Sequence, residues 1–109
     1  MKVSNTQAQM RKGILEYCIL NILSQKEAYP SEIIETLKGA KLIVVEGTLY
    51  PLLTRLKNAN LLGYKWVEST SGPPRKYYEI TEEGKTFLEE LKHTWVELQT
   101  AVNIISKNK

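Results

Sequence analysis

The sequence predicts a mainly helical α+β fold: three helices, a β-hairpin and a long last helix. Three observations carry that prediction. Apolar residues recur at helical spacing in the segments before residue 61 and again after residue 81. Two short runs, 64–68 and 75–80, are rich in aromatic and β-branched residues and are separated by Ser69-Thr70-Ser71-Gly72-Pro73-Pro74. The 109 residues are 42% hydrophobic and 25% charged, an ordinary globular balance that sets disorder aside.

The first helix is expected to be capped by one of Ser4, Asn5 or Thr6 and to run through Ile14, Leu15, Tyr17, Cys18, Ile19, Leu20, Ile22 and Leu23. These positions cover more than one stripe, so the helix needs cover on two sides, and a second subunit is the natural source of the surplus. After a loop at 25–29, Pro30-Ser31 opens a short helix with Ser31 as its N-cap and Glu32 suiting the dipole of its first turn. Ile33, Ile34 and Leu37 form the inner face, and Gly39 is the stop. Leu42-Ile43-Val44-Val45 reads as a short strand or an extended lead-in. The third helix is expected from about Gly47 to Asn60, with Leu49, Leu52, Leu53 and Leu56 facing inward and Thr48, Tyr50, Arg55 and Lys57 outward. Pro51 belongs in its first turn, where a missing N–H costs little. Leu61-Leu62-Gly63 ends that helix. The hairpin follows, and Thr81 then caps the last helix with Glu82 and Glu83 in its first turn. There Leu88, Leu91, Trp95, Leu98, Val102 and Ile105 recur at alternating spacings of three and four, the coiled-coil period.

This order is that of a winged helix-turn-helix (residues 1–80) carrying an added C-terminal dimerisation helix (81–109) in the same compact domain. In such a fold the third helix enters a DNA major groove and the hairpin tip reaches the neighbouring backbone. The charge agrees. Residues 41–76 hold six basic and two acidic residues, whereas 77–109 hold four basic and six acidic, so the positive face falls on the third helix and hairpin. Thr48 and Tyr50 lie near the start of the reading helix, Arg55 one to two turns on, and Arg75 and Lys76 at the return of the hairpin. A surface ion pair is the alternative for Arg55, and packing beneath the hairpin the alternative for Tyr50. The long helix has more apolar positions than so small a body can cover, which points to a homodimer paired through Leu88, Leu91, Trp95, Leu98, Val102 and Ile105, with the first helix joining in. Two-fold symmetry then presents two reading helices to a pseudo-palindromic double-stranded DNA site.

Other functions are poorly served. One Cys and one His exclude an intrachain disulfide, a cysteine zinc site and a multi-histidine metal site. No nucleophile–base pair or phosphate-cradling glycine loop is evident, so neither enzyme activity nor a cofactor is expected. The start, Met1 to Gln7, has no apolar core of a signal peptide, and no apolar run approaches the ~20 residues that span a bilayer, so a reduced cytoplasmic setting without membrane contact is expected.

Glu46-Gly47-Thr48-Leu49-Tyr50-Pro51-Leu52-Leu53-Thr54-Arg55-Leu56 and Gly72-Pro73-Pro74-Arg75-Lys76-Tyr77-Tyr78-Glu79-Ile80-Thr81-Glu82-Glu83-Gly84 resemble the signature of PadR-family transcriptional regulators. The resemblance covers nearly the whole chain, and the single C-terminal helix with Trp95 resembles the compact subfamily. It implies a homodimeric DNA-binding regulator, usually a repressor, with contacts at Thr48, Tyr50, Pro51, Arg55, Arg75 and Lys76. Some members of the compact subfamily bind planar aromatic effectors in a cavity at the dimer centre, between paired tryptophans of the last helix. Trp95 stands in that place, and Met10, Ile14 and Tyr17, on one face of the first helix, are candidates for the other walls. Tyr29-Pro30-Ser31-Glu32 departs from the family's usual start to the second helix, but Ser31 keeps a hydroxyl able to donate to a phosphate. Two other functions compete with this one: a small-molecule sensor dimer with weak DNA affinity, and a winged-helix adaptor for protein contacts.

Overall fold

The computed structural model describes residues 1–107. Its elements are α1 (Val3–Gln25), α2 (Pro30–Gly39), α3 (Glu46–Asn58), β1 (Leu62–Val67), β2 (Arg75–Ile80) and α4 (Glu82–Lys107). The three helices, hairpin and long helix expected from the sequence are present in that order.

α1 starts two to four residues earlier than a cap at Ser4, Asn5 or Thr6 would place it. Lys2 occupies the cap without a side-chain bond, and Ser4, Asn5 and Thr6 lie inside the first turn. Residues 1–13 are exposed throughout. Leu15, Ile19, Leu20 and Leu23 form the buried stripe, and Tyr17, Cys18 and Ile22 pack against it half-buried. Burial pushes the Cys18 thiol up from its ordinary pKa, so it stays protonated and unreactive at neutral pH.

α2 begins at Pro30, with Tyr29 rather than Ser31 in the cap position. The Tyr29 backbone N–H donates to Glu32 Oε1 at 3.2 Å, so the carboxylate closes the turn that a serine hydroxyl was expected to close. Both α2 and α3 end in Schellman motifs. After α2, Lys41 adopts φ 70°, and Leu42 N–H donates to the Leu37 carbonyl at 2.9 Å. After α3, Asn60 adopts φ 64°, and Leu61 N–H donates to the Leu56 carbonyl at 3.0 Å. The left-handed residue is thus Lys41, not Gly39, and the chain leaves each helix with a leucine turned back onto the core. Residues 42–45 form the extended lead-in and pair with no strand.

α3 starts at Glu46, which makes Pro51 its sixth residue and puts it beyond the first turn. Its ring cannot donate to the Gly47 carbonyl. Both residues are exposed, so that carbonyl stays open to solvent and is not buried without a partner. Leu49, Leu53 and Leu56 anchor the helix, the first two with no exposure at all.

β1 and β2 pair antiparallel from Leu62↔Ile80 to Val67↔Arg75, and Ala28 adds a bridge to Tyr78 on the outer edge of β2. Lys65 Nζ meets Glu27 Oε2 at 2.8 Å and ties β1 to the α1–α2 loop. The hydrogen bond and charge of that carboxylate raise the Lys65 pKa above its ordinary value, so the ammonium keeps its charge through neutral pH, and on the alkaline side its contribution is lost only as pH rises past that raised value. Thr81 joins the hairpin to α4. Its hydroxyl accepts from Gly84 N–H at 2.9 Å and donates to the Asn60 carbonyl at 2.7 Å. This is the cap expected from the sequence, with an added tie to the end of α3.

α4 corrects one expectation about the dimer stripe. Leu88 is 3% exposed and belongs to the protomer's own core, with Leu91 packed against it. The stripe left open therefore begins at Trp95 and continues through Leu98, Val102 and Ile105, all exposed. The molecule measures 58 × 32 × 23 Å, and α4 accounts for roughly 39 Å at 1.5 Å per residue, far longer than the body is thick.

Candidate nucleic-acid interface and an apolar cleft

The starts of α2 and α3 and the return strand of the hairpin frame an open groove of about 380 Å³. Tyr29, Pro30 and Ser31 from the α2 start, Glu46 and Tyr50 from α3, and Trp66, Arg75 and Lys76 from the hairpin line it. Aromatic rings aim the cations. The Arg75 guanidinium lies 4.4 Å from the centre of the Tyr29 ring, which itself meets Tyr77 edge-on at 5.1 Å. Lys76 Nζ stands 3.9 Å over Tyr64, and Lys57 Nζ 5.5 Å from the same ring. Each such contact is worth about 0.5–1 kcal/mol at an exposed site, enough to bias a long side chain toward one direction. Two helix N-termini open on the same side, where backbone N–H groups favour anions.

Four of the seven predicted DNA-contact residues, Ser31, Tyr50, Arg75 and Lys76, therefore line one groove. Thr48 and Pro51 are exposed on α3 outside it. At about 100° per residue, Pro51 shares the outermost face with Gly47, Thr54 and Asn58, while Thr48 lies on the flank that also carries Arg55. Arg55 is separated from the others. Its Nε is 3.5 Å from Glu16 Oε2 on α1, and it lines a different cavity. The ion pair, the alternative reading for this residue, is the one observed. The Arg55 side chain is 74% exposed, so the pair adds little stability. Sequence reasoning missed Tyr29 and Trp66. The register pairs Trp66 with Lys76 across the hairpin, and strand alternation from Lys76 could have identified it.

The second cavity, about 420 Å³, lies between α1, α3 and α4. Ile14 and Tyr17 from α1 and Phe87, Leu91 and Trp95 from α4 give it apolar walls, and Glu16 and Arg55 are its charged pair. Tyr17 and Trp95 face each other at 6.4 Å with their planes 42° apart. Three of the four predicted wall residues are present. Met10 is not among them: it is 74% exposed, one turn before Ile14 on the free half of α1. Among the described residues no three His, Cys, Asp or Glu side chains gather as a metal site would require, and no helix is long and apolar enough to cross a membrane.

Comparison with known proteins points the same way. A model of the Transcriptional regulator PadR-like family matches residues 19–90, a span that includes every residue of the groove but neither Trp95 nor the α1 residues of the cleft. Among solved structures, the chain is similar to a PadR-like transcription factor from Bacteroides fragilis, with 63% identity, 93% of this chain and 98% of that chain covered, and a TM-score of 0.79. It is also similar to a PadR-like transcriptional regulator from Bacillus cereus strain ATCC 14579, at 44% identity over 89% of this chain and 95% of that one, with a TM-score of 0.79. A Streptococcus transcriptional regulator is 35% identical over 90% and 97% of the two chains, with a TM-score of 0.81.

Proposed function

The chain belongs to the PadR-like family of transcriptional regulators, DNA-binding proteins and not enzymes, and on that premise we propose that it is a cytoplasmic homodimeric repressor that leaves its operator when a small aromatic molecule binds. The observation that carries the DNA part is the convergence of Ser31, Tyr50, Arg75 and Lys76 on one groove at the start of α3. Phosphate contacts from Arg75, Lys76 and the Ser31 hydroxyl would fix the register of the protein on the duplex, while Thr48, Tyr50 and Pro51 meet base edges in the major groove.

Dimerisation rests on the uncovered apolar stripe of α4 beyond Leu91, with the exposed half of α1 beside it. An isologous pairing of α4 buries that stripe and sets two α3 helices about one helical turn apart along DNA, which calls for a pseudo-palindromic site. The effector part of the reading is supported by the apolar cleft against α4, which Ile14, Tyr17 and Trp95 line and which a second protomer pairing along α4 would help enclose.

Arg75→Ala tests the DNA reading. It is expected to weaken binding to every duplex alike and to lower the slope of log affinity against log salt by about one per protomer, since one phosphate contact is lost. Fluorescence anisotropy over a salt series reads both quantities. An unchanged slope would remove the wing from the DNA contact.

A further inference from the structure

We propose that Trp66 is a DNA-contacting residue in its own right, an indole on the wing that packs on the sugar–phosphate backbone beside the groove α3 enters. The proposal rests on the DNA-binding reading above and extends it to a residue that neither charge nor motif singled out.

The chain has two tryptophans, and the structure treats them differently. Trp95 is packed on Tyr17 in the cleft. Trp66 is 64% exposed on a two-stranded ribbon. Among the described residues the paired aromatic rings are Tyr17–Trp95, Tyr29–Tyr77 and Tyr64–Tyr78, so no ring covers the Trp66 indole. It has no part in the core either, because Tyr78, two residues from its cross-strand partner Lys76, already fills that side of the hairpin.

What covers it is decided by its surroundings. Trp66 borders the same groove as Ser31, Tyr50, Arg75 and Lys76, and Glu46 is the one acidic side chain lining it. Strand alternation puts Trp66 on the face of Lys76, whose ammonium is held over Tyr64 a short way along the ribbon. A protein partner with an apolar patch would have to desolvate these cations. A duplex neutralises them and offers deoxyribose, an apolar surface flanked by phosphate oxygens. The indole matches both parts, its face against the sugar and its N–H toward a phosphate. Such a contact carries no base information, so it positions the wing and does not set sequence preference.

Trp66→Phe keeps Trp95, so the emission of the native chain minus that of Trp66→Phe isolates the Trp66 signal. The experiment titrates both chains with an unlabelled random-sequence duplex at low salt, while anisotropy of a labelled copy of the duplex follows binding separately. Trp66 emission is expected to be quenched as the anisotropy saturates. In the otherwise native chain, Trp66→Ala is expected to lower affinity about fivefold or more with an unchanged salt slope, because no charge is removed, and Trp66→Phe to restore most of that loss. Saturating anisotropy with unmoved Trp66 emission, or Trp66→Ala binding within about twofold of the parent, overturns the proposal and leaves the DNA reading standing. Weakened self-association of Trp66→Ala without DNA assigns the indole to a second copy and also overturns it. If no duplex raises the anisotropy of the parent at low salt, the DNA reading and the proposal fall together.

Discussion

Leu53→Ala is expected to lower the free energy of unfolding by about 2–5 kcal/mol, a large share of what a chain of this size has to lose. Leu53 sits mid-way along α3 with no exposure and is one of the largest fully buried side chains. It is flanked on the same face by Leu49 and Leu56, which cannot close over the space its isopropyl group leaves without moving the helix. The loss therefore includes a cavity as well as the transfer of the removed atoms. Urea denaturation at one fixed protein concentration, with the slope unchanged and the midpoint lowered, checks it, the fixed concentration being needed because association contributes to the midpoint. A midpoint within experimental scatter of the parent would mean that α3 is not anchored as described.

Gly84→Ala is expected to be destabilising although alanine is the better helix former by about 0.8–1 kcal/mol. A methyl group there would run into the Leu61 carbonyl oxygen and come within 2.7 Å of Ile80 Cγ1. The isoleucine can turn, but the carbonyl cannot, because it accepts the Thr81 N–H at 3.1 Å and is fixed by the bonds that join α3 to α4. Relief requires α4 to move off Leu61. Overpacking of this kind costs about 1–3 kcal/mol and outweighs the gain in propensity. A raised urea midpoint for Gly84→Ala would show that α4 does not approach Leu61 so closely. The same movement would tilt the stripe proposed to pair two protomers, so the variant should also associate more weakly.

The sequence-level reading was most secure where one local rule acted alone. Helical spacing in Leu49, Leu53 and Leu56 identified the inner face of α3, and Thr81 with its following glutamates identified the start of α4. It failed where two local signals competed or where tertiary contacts chose. Ser31 is a good cap by type, but Glu32 reaches back to the Tyr29 N–H and moves the cap of α2 two residues earlier. Pro51 was confined to a first turn by a rule about missing donors, which loses its force on a face open to solvent. Arg55 illustrates the angular problem. A residue five positions from Tyr50 is turned about 140° from it, enough to leave the groove and meet Glu16 on α1. Leu88 obeys the same period as Trp95 and Val102, and periodicity has no means of telling where the protomer's own core ends and an uncovered stripe begins. Trp66 was passed over because exposure is a property of the folded hairpin, whereas the local sequence says only that a strand favours it.

These residues place the chemistry of recognition at one end of the molecule and the apolar surplus along α4. Both are needed for a regulator that reads two half-sites with one helix per chain. Sedimentation equilibrium of the protein mixed with a duplex from the region upstream of its own gene tests that arrangement most directly. A complex with the mass of two chains on one duplex, formed from a protein already dimeric when free, is the expected result. A single chain on the duplex, or free chains that neither pair nor bind, would contradict it.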